Sequence, residues 1–301
     1  MSDFKINSIA TKQGQHGPVI AGVSTVNSTG CMKIPSGNKS NRVGVSTYVL
    51  NGTIPSNGLR ILLDAGDINS NDTSDPENVW RNLSDHPTKG DFRLDTIATI
   101  TRTTGATGSF ELSGADEGAL VGEEISSDVF RKNGGSGTMF LILKPDDVGT
   151  RQTIISGYDS SSNRWDFEIS TAAKITGGNH NTDLYYSTAN TISADTTYTL
   201  GIVLDTSEDR LKRNNAGIST NEVGNVQTYY LNGSLDSNYA FPIEKNANWQ
   251  SDIFISLGRR ALQKANFEYN GEFFVFIAYD RVLDADEILQ LHNAFKDRYG
   301  L

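Results

Sequence analysis

Short apolar runs alternate with polar, turn-forming segments over most of the chain. The runs have three to eight residues and are rich in β-branched and aromatic side chains, and most of them end close to Gly, Pro, Asn or Asp. This spacing is typical of strands in an all-β sandwich, and the Asn232-Gly233 pair predicts a tight hairpin turn. The predicted strands lie at 58–64, 110–112, 138–144, 152–158, 164–170, 184–187, 197–204, 226–231, 252–257 and 272–279.

The last predicted strand, 272–279, is apolar on both faces, which indicates burial on both sides. Simple alternation places Phe273, Val275, Ile277 and Tyr279 on one face and Phe274, Phe276 and Ala278 on the other. Two less regular stretches interrupt the pattern: 92–110 predicts at most one strand, and the charged segment 205–225 predicts a surface loop.

A helix is predicted after this strand. Asp284 and Glu287 have the spacing of a capping box. Ile288, Leu291 and Phe295 then form one apolar stripe, and Gly300 ends the helix. The pattern therefore predicts an all-β sandwich with one short C-terminal helix.

Composition narrows the functional classes. The 301 residues carry a formal net charge of −10 with acidic and basic residues interspersed, which argues against binding nucleic acid or an anionic membrane. No run approaches the ~20 apolar residues of a membrane span, so no membrane insertion is expected. Cys31 is the single cysteine, so no intrachain disulfide can form. The start of the chain lacks the pattern of a signal peptide, and we expect synthesis in a cytoplasm without export.

Two motifs carry a family resemblance. The C-terminal YDRVLDADEI, followed by a helix ending in RYGL, and the earlier LDAG with WRNLS resemble laminin-G-type members of the concanavalin A-like lectin and glucanase superfamily. The resemblance covers about 53–301. It implies a two-sheet antiparallel jelly roll, a fold often used to bind carbohydrate.

Residues 1–52 differ from the rest because they are polar and rich in Gly and Ser, and we interpret them as an extended arm. The segment GPVIAGVSTVNSTGCMKIPSG is similar to a segment of virion structural proteins from tailed phages of marine cyanobacteria. That resemblance implies attachment to other virion proteins through 1–52, a place in the virion, and assembly as a homotrimer, as in phage fibres.

Enzymatic chemistry has one candidate in the sequence. Asp166 and Glu168 project from one face of a predicted strand, as glucanase carboxylates do, but Arg164 stands where a third acid would be. We interpret the pair as solvated strand-face acids. The four histidines lie outside any HExxH or nucleophile-elbow motif. We therefore expect no catalytic residues and a protein that is not an enzyme.

A calcium site is a weaker prediction. Asp67, Asn69 and Asn71 supply oxygen ligands at positions 1, 3 and 5 of an EF-hand-like loop, but Asp72 and Asn78 depart from the pattern at positions 6 and 12. An Asx-rich turn that bonds its own backbone is the alternative. No other cofactor is expected.

Sugar recognition uses exposed aromatic rings beside amide and carboxylate side chains, which bind the sugar hydroxyl groups. Adjacent tyrosines at 185–186 and 229–230 should place one member of each pair outward. Structural packing is the alternative role for each of these side chains. The candidate ligand-binding residues are Tyr186, Asn179, His180, Tyr230, Trp249 and Asn248.

The leading functional hypothesis is a virion appendage protein that binds host-surface glycans through the sandwich. One alternative is a head-decoration or collar protein that binds no sugar. A second alternative is a glycan depolymerase that uses Asp166 and Glu168.

Overall fold

The computed structural model describes residues 53–72, 78–84, 90–95, 100–114, 118–121, 136–160, 163–179, 184–205, 212–213, 219–220, 224–242, 254–260 and 267–301. The predicted arm at 1–52 and the candidates His180, Asn248 and Trp249 lie outside these residues. The boundary at residue 53 stays a prediction.

The described part of the chain forms 18 strands and one helix. The helix is α1 (Ala285–Tyr299). The strands are β1 (Leu59–Asp64), β2 (Val79–Trp80), β3 (Phe92–Asp95), β4 (Thr101–Arg102), β5 (Phe110–Ser113), β6 (Gly118–Val121), β7 (Gly137–Pro145), β8 (Gln152–Ser160), β9 (Asn163–Ile169), β10 (Ile175–Asn179), β11 (Leu184–Ser187), β12 (Tyr198–Asp205), β13 (Lys212–Arg213), β14 (Ser219–Thr220), β15 (Gly224–Leu231), β16 (Ser234–Pro242), β17 (Phe254–Leu257) and β18 (Asn270–Tyr279).

Two eight-stranded antiparallel sheets build the sandwich. The helix-side sheet has the order β16-β15-β12-β7-β18-β5-β4, and β1 also pairs with β18. The far sheet has the order β11-β10-β9-β8-β17-β6-β3-β2. The predicted two-sheet antiparallel sandwich with a C-terminal helix is confirmed.

The inner faces of the two sheets share one apolar core. Phe276 and Leu141 reach it from the helix-side sheet, and Trp165 and Phe167 reach it from β9 of the far sheet. Because every second residue of β9 points inward, Asp166 and Glu168 point to the outer face of the far sheet. The core thereby fixes which face carries the two acids.

The helix covers the outer face of the helix-side sheet. Asp284 accepts a hydrogen bond from the Glu287 amide, Glu287 bonds back to the cap, and Gly300 has a left-handed φ of 68°. The capping box and the terminal glycine are confirmed. Ile288, Leu291 and Phe295 are fully buried, and the Phe295 ring lies 6.5 Å from that of Phe140. This packing forms a second apolar cluster.

The predicted faces of β18 are right for only part of the strand. Val275, Ile277 and Tyr279 pack under the helix, and Phe276 and Ala278 face the inner core, as expected. A register shift between residues 273 and 275 reverses the pattern, so Phe273 faces the inner core and Phe274 the helix. A bulge adds one residue to a strand, and the alternation changes phase there.

Three further predictions of local structure are corrected or confirmed. Segment 92–110 contains β3 and β4 rather than at most one strand, because short strands with few apolar residues pair at the sheet edges. Segment 205–225 is not wholly a loop, since β13 pairs with β14 and β15 begins at Gly224. Asn232 and Gly233 have φ angles of 48° and 75°, as a tight hairpin between β15 and β16 requires.

Candidate functional site

A cleft opens at the rim of the sandwich, and we call it the rim cleft. It lies between the turn after β1 (65–71), the turn between β4 and β5 (103–108), and Arg298 near the end of α1. Its volume is about 400 Å³, within the range of small-ligand sites. The rim cleft includes two residues of the predicted calcium loop, Asp67 and Asn71.

An ion pair fixes one wall of the rim cleft. Arg298 Nη1 donates to Asp64 Oδ2 at 2.8 Å, and Nη2 donates to Asp64 Oδ1. Asp64 is fully buried and also accepts from the Gly66 amide at 2.9 Å. Gly66 has no room for a side chain, since a Cβ there would lie 2.0 Å from Arg298 Nη2 and 2.4 Å from the Ala106 carbonyl. This wall is therefore rigid, and the charge of Asp64 is neutralised.

Asn71 joins the two turns that form the rim cleft. Its Nδ2 donates to the carbonyl oxygens of Ala65 at 2.9 Å and Thr103 at 2.8 Å. Its Oδ1 accepts from Arg102 Nε at 3.2 Å and Nη2 at 3.1 Å. Asn71 is 1% exposed, so a buried amide with both ends bonded holds the turns in register.

Three groups in the rim cleft are available to a ligand. Ile68 exposes 63% of its surface, the largest fraction for a large apolar side chain among the described residues. Asp67 Oδ1 accepts from the Asn69 amide at 2.9 Å, whereas its Oδ2 has no hydrogen bond among the described residues. The Thr104 hydroxyl also has none there. An apolar surface thus lies in the same cleft as a carboxylate oxygen and a hydroxyl.

The contacts do not fit a calcium site built from Asp67, Asn69 and Asn71. The Asn71 oxygen already accepts from a guanidinium, whose positive charge would oppose a cation at the same atom. Asn69 directs its Nδ2 to Asp67 Oδ1 at 2.9 Å, an Asx-type contact within the turn. Among the described residues, no group of three His, Cys, Asp or Glu side chains is placed to hold a metal ion.

The structure places some of the candidate sugar-binding residues. Tyr230 is 8% exposed and packs in the cluster under α1, and Tyr229 is fully buried in the inner core. The expectation that one of these two tyrosines faces outward is wrong, because helix and core cover both sheet faces there. Asn179 and Tyr186 lie on the paired strands β10 and β11, and their side chains are outside the described part of the structure.

The outer face of the far sheet carries a polar layer, which we call the carboxylate face. The register aligns Ser256, Ser156 and Asp166 across three strands, and Thr153 with Glu168 across two. All five residues are at most 1% exposed. Asp166 and Glu168 are therefore buried, and the interpretation as solvated acids is wrong.

Two arginines cover the carboxylate face. Arg260 Nη2 donates to Glu168 Oε1 at 2.8 Å, and Arg151 Nε donates to Glu168 Oε2 at 2.6 Å. Arg260 Nε lies 3.5 Å from Asp166 Oδ2. Both guanidinium groups also lie over the Phe267 ring, at 4.3 Å for Arg260 and 4.8 Å for Arg151. Alternation along β9 predicted the shared face of the acids, but only the fold shows what covers them.

Sequence reasoning missed Arg298, Ile68 and Thr104 as parts of the rim cleft. Arg298 lies near the end of the helix, and its carboxylate partner Asp64 lies 234 positions earlier in the chain, so no local pattern connects them. An isolated Ile in an Asx-rich turn was the one available signal for Ile68. No sequence signal distinguished Thr104, because it belongs to a segment that contains several threonines.

The chain matches no protein-family model, and no curated protein matches its sequence. Solved structures do share its fold. Trypanosoma rangeli sialidase in complex with sialic acid aligns over 81% of this chain and 34% of its own, with a TM-score of 0.56 and 11% identity. Its complex with 2,3-difluorosialic acid, a covalent intermediate, aligns over 94% and 36%, with a TM-score of 0.55 and 11% identity. This chain thus spans about a third of the sialidase chains.

A second kind of match covers a whole domain. Domain 4 of AbnA, a GH43 extracellular arabinanase from Geobacillus stearothermophilus, was solved in complex with arabinotriose. It aligns over 79% of this chain and 100% of its own, with a TM-score of 0.50 and 15% identity. The sandwich is therefore a fold shared with proteins that bind or process carbohydrates.

These matches contradict the expectation that the chain is not an enzyme. The aligned structures include sialidases and a domain of an arabinanase, so the fold is one that occurs in glycosidase chains. At 11% and 15% identity the likeness shows the fold. Among the described residues, no helix is long and apolar enough to cross a membrane.

Proposed function

We propose that this chain is a glycan-binding β-sandwich of a virion appendage. The observation that carries glycan binding is the alignment with the complete arabinotriose-bound domain of the arabinanase. The rim cleft supports it, because it is open, preorganised and lined by groups suited to hydroxyls. The virion part rests on the resemblance of the segment within residues 1–52 to phage structural proteins.

In this proposal the two parts of the chain have separate tasks. Residues 1–52 fasten the protein to other virion proteins, and 53–301 meets carbohydrate on the host surface. Assembly as a homotrimer follows from the resemblance to fibres and belongs to the same proposal.

A glycan array probed with the intact protein tests the binding function. The expected result is concentration-dependent binding to a restricted set of glycans. No binding at any concentration would contradict it and favour the head-decoration or collar alternative.

Deletion of residues 1–52 tests the attachment function. The shortened protein should keep the glycan profile of the intact protein but be absent from purified virions. Its recovery on virions at the level of the intact protein would contradict a role of the arm in attachment.

A second candidate is a glycan depolymerase, favoured by the carboxylate face. Arg260 Nε lies 3.3 Å from Glu168 Oε1 and 3.5 Å from Asp166 Oδ2. The two carboxylate oxygens are therefore within about 7 Å of each other, a spacing compatible with paired-carboxylate glycoside hydrolysis. In this structure the arginines occupy the space in front of them, so catalysis requires these side chains to move.

The depolymerase candidate predicts release of reducing sugar that is lost in Asp166→Asn and in Glu168→Gln. Activity should be expressed per folded molecule, with folding followed by circular dichroism, because Glu168 also holds two arginines. Unchanged sugar release in both variants would remove this candidate.

A further inference from the structure

The rim cleft contains an exposed apolar side chain, Ile68, beside polar groups. On the described surface, three large apolar side chains are exposed: Ile68 at 63%, Leu235 at 58% and Leu289 at 43%. Ile68 lines a cleft, whereas the lining of that cleft does not include Leu235 or Leu289. Single exposed apolar side chains are ordinary on a protein surface, whereas ligand sites place apolar surface inside a concave cleft beside a few polar groups.

The polar groups of the rim cleft indicate which ligand it suits. Asp64 is neutralised by Arg298, so the Asp67 carboxylate gives the cleft its remaining charge. That carboxylate has one oxygen without a described partner, and the Thr104 hydroxyl has none. A carboxylate oxygen accepts hydrogen bonds from hydroxyl groups and repels another anion.

We propose that the rim cleft binds a neutral saccharide, with its C–H face on Ile68 and its hydroxyl groups bonded to Asp67 and Thr104. This inference rests on the proposed glycan-binding function and adds the site and the ligand class to it. The cleft volume of about 400 Å³ suits a small part of a glycan chain.

The cleft needs no metal ion to hold its shape. Asn71 bonds both turns, and Arg298 bonds Asp64 next to them. Since these contacts fix the walls before any ligand arrives, little ordering accompanies binding. Saccharide binding is therefore expected to persist in the presence of a chelator.

The test compares two matched substitutions in the intact protein. Ile68→Asp and Leu235→Asp replace similarly exposed apolar side chains, one inside the rim cleft and one outside it. The probe is the neutral oligosaccharide that binds the wild-type protein best on an array of neutral and acidic glycans. Affinity is measured by calorimetry with EDTA present.

Ile68→Asp should weaken binding by about 30-fold, the effect of losing one central contact, and Leu235→Asp should leave it unchanged. Asp67→Asn should weaken it by about 10-fold, as expected for a hydrogen bond to a charged group. Ile68 is exposed and Asp67 is half-buried, so neither substitution disturbs the core and the variants should fold, which circular dichroism checks.

Equal affinity of the Ile68→Asp and Leu235→Asp variants would overturn the inference and leave the proposed function intact, because wild-type protein still binds glycan. Binding to acidic glycans alone, or loss of binding in EDTA, would also overturn the inference and leave the proposed function intact. Absence of binding to every glycan would overturn both.

Discussion

The outer faces of the two sheets are covered in opposite ways. On the helix-side sheet, α1 buries Ile288, Leu291 and Phe295 against apolar strand residues. On the far sheet, Arg151 and Arg260 cover buried acids and hydroxyls. One cover depends on removing apolar surface from water, and the other on charge pairing.

The difference separates two physical ways of stabilising the outer face of a sheet. An apolar cover needs no particular partner geometry and stabilises the fold in proportion to the area buried. A charged cover gains stability only if each desolvated charge is paired and hydrogen-bonded. The hydroxyl of Ser256 is buried on the carboxylate face and has no hydrogen-bond partner among the residues that the structure describes. The carboxylate face is therefore the less favourable of the two covers to bury.

The largest expected effect comes from breaking the apolar cover. Phe295→Ala removes a fully buried ring that packs on Phe140. We expect the free energy of unfolding to fall by about 3–5 kcal/mol, the usual cost of a large cavity. Urea denaturation followed by fluorescence measures it. A loss below about 1 kcal/mol would mean that the helix is not a tight cover.

The next effect comes from breaking the charged cover. Glu168→Gln removes the closer anionic partner of the buried Arg260 and leaves only Asp166 at 3.5 Å among the described residues, and we expect a loss of about 3 kcal/mol. Glu272→Gln is a matched control, because Glu272 pairs with Lys144 at 2.8 Å but both side chains are partly exposed. The control should lose less than about 1 kcal/mol. Equal losses in the two variants would show that burial does not distinguish these ion pairs.

The smallest expected effect concerns pH and the helix. Burial, with a smaller contribution from Lys296, lowers the pKa of His292, whose Nδ1 lies 3.1 Å from Thr199 Oγ1. Below about pH 6.5 the imidazole of His292 binds a proton in the unfolded chain, whereas in the folded chain it remains neutral to a lower pH. Stability should therefore decrease as the pH falls through this value.

His292→Gln isolates this contribution. The loss of stability between pH 8 and pH 5.5, from urea titrations at each pH, should be smaller in the variant than in wild-type protein. An identical loss in both would exclude His292 as the cause.

The sequence predicted those parts of the fold that depend on neighbours along the chain. The capping box at Asp284 and the turn at Asn232-Gly233 are local patterns, and both are confirmed. The bulge at residues 273–275 was not predictable, because pairing with β7 and β1 sets the register. Such long-range contacts have no local signature.

The candidate sites show the same limit. Residues 67, 69 and 71 were selected for their oxygen atoms, and two of them line the rim cleft. Whether the Asn71 oxygen is available depends on Arg102, more than thirty positions away. Likewise, alternation along the strand placed Asp166 and Glu168 on one face. Arg260, which covers them, lies about ninety residues later in the chain and could not be foreseen from that pattern.

The most direct test of glycan binding at the rim cleft is a crystal structure of the intact protein with its best-binding neutral oligosaccharide. We predict that the sugar contacts Ile68, Asp67 and Thr104 and that Arg260 remains on Glu168. A sugar bound at the carboxylate face with Arg260 displaced, or bound away from both sites, would contradict this account.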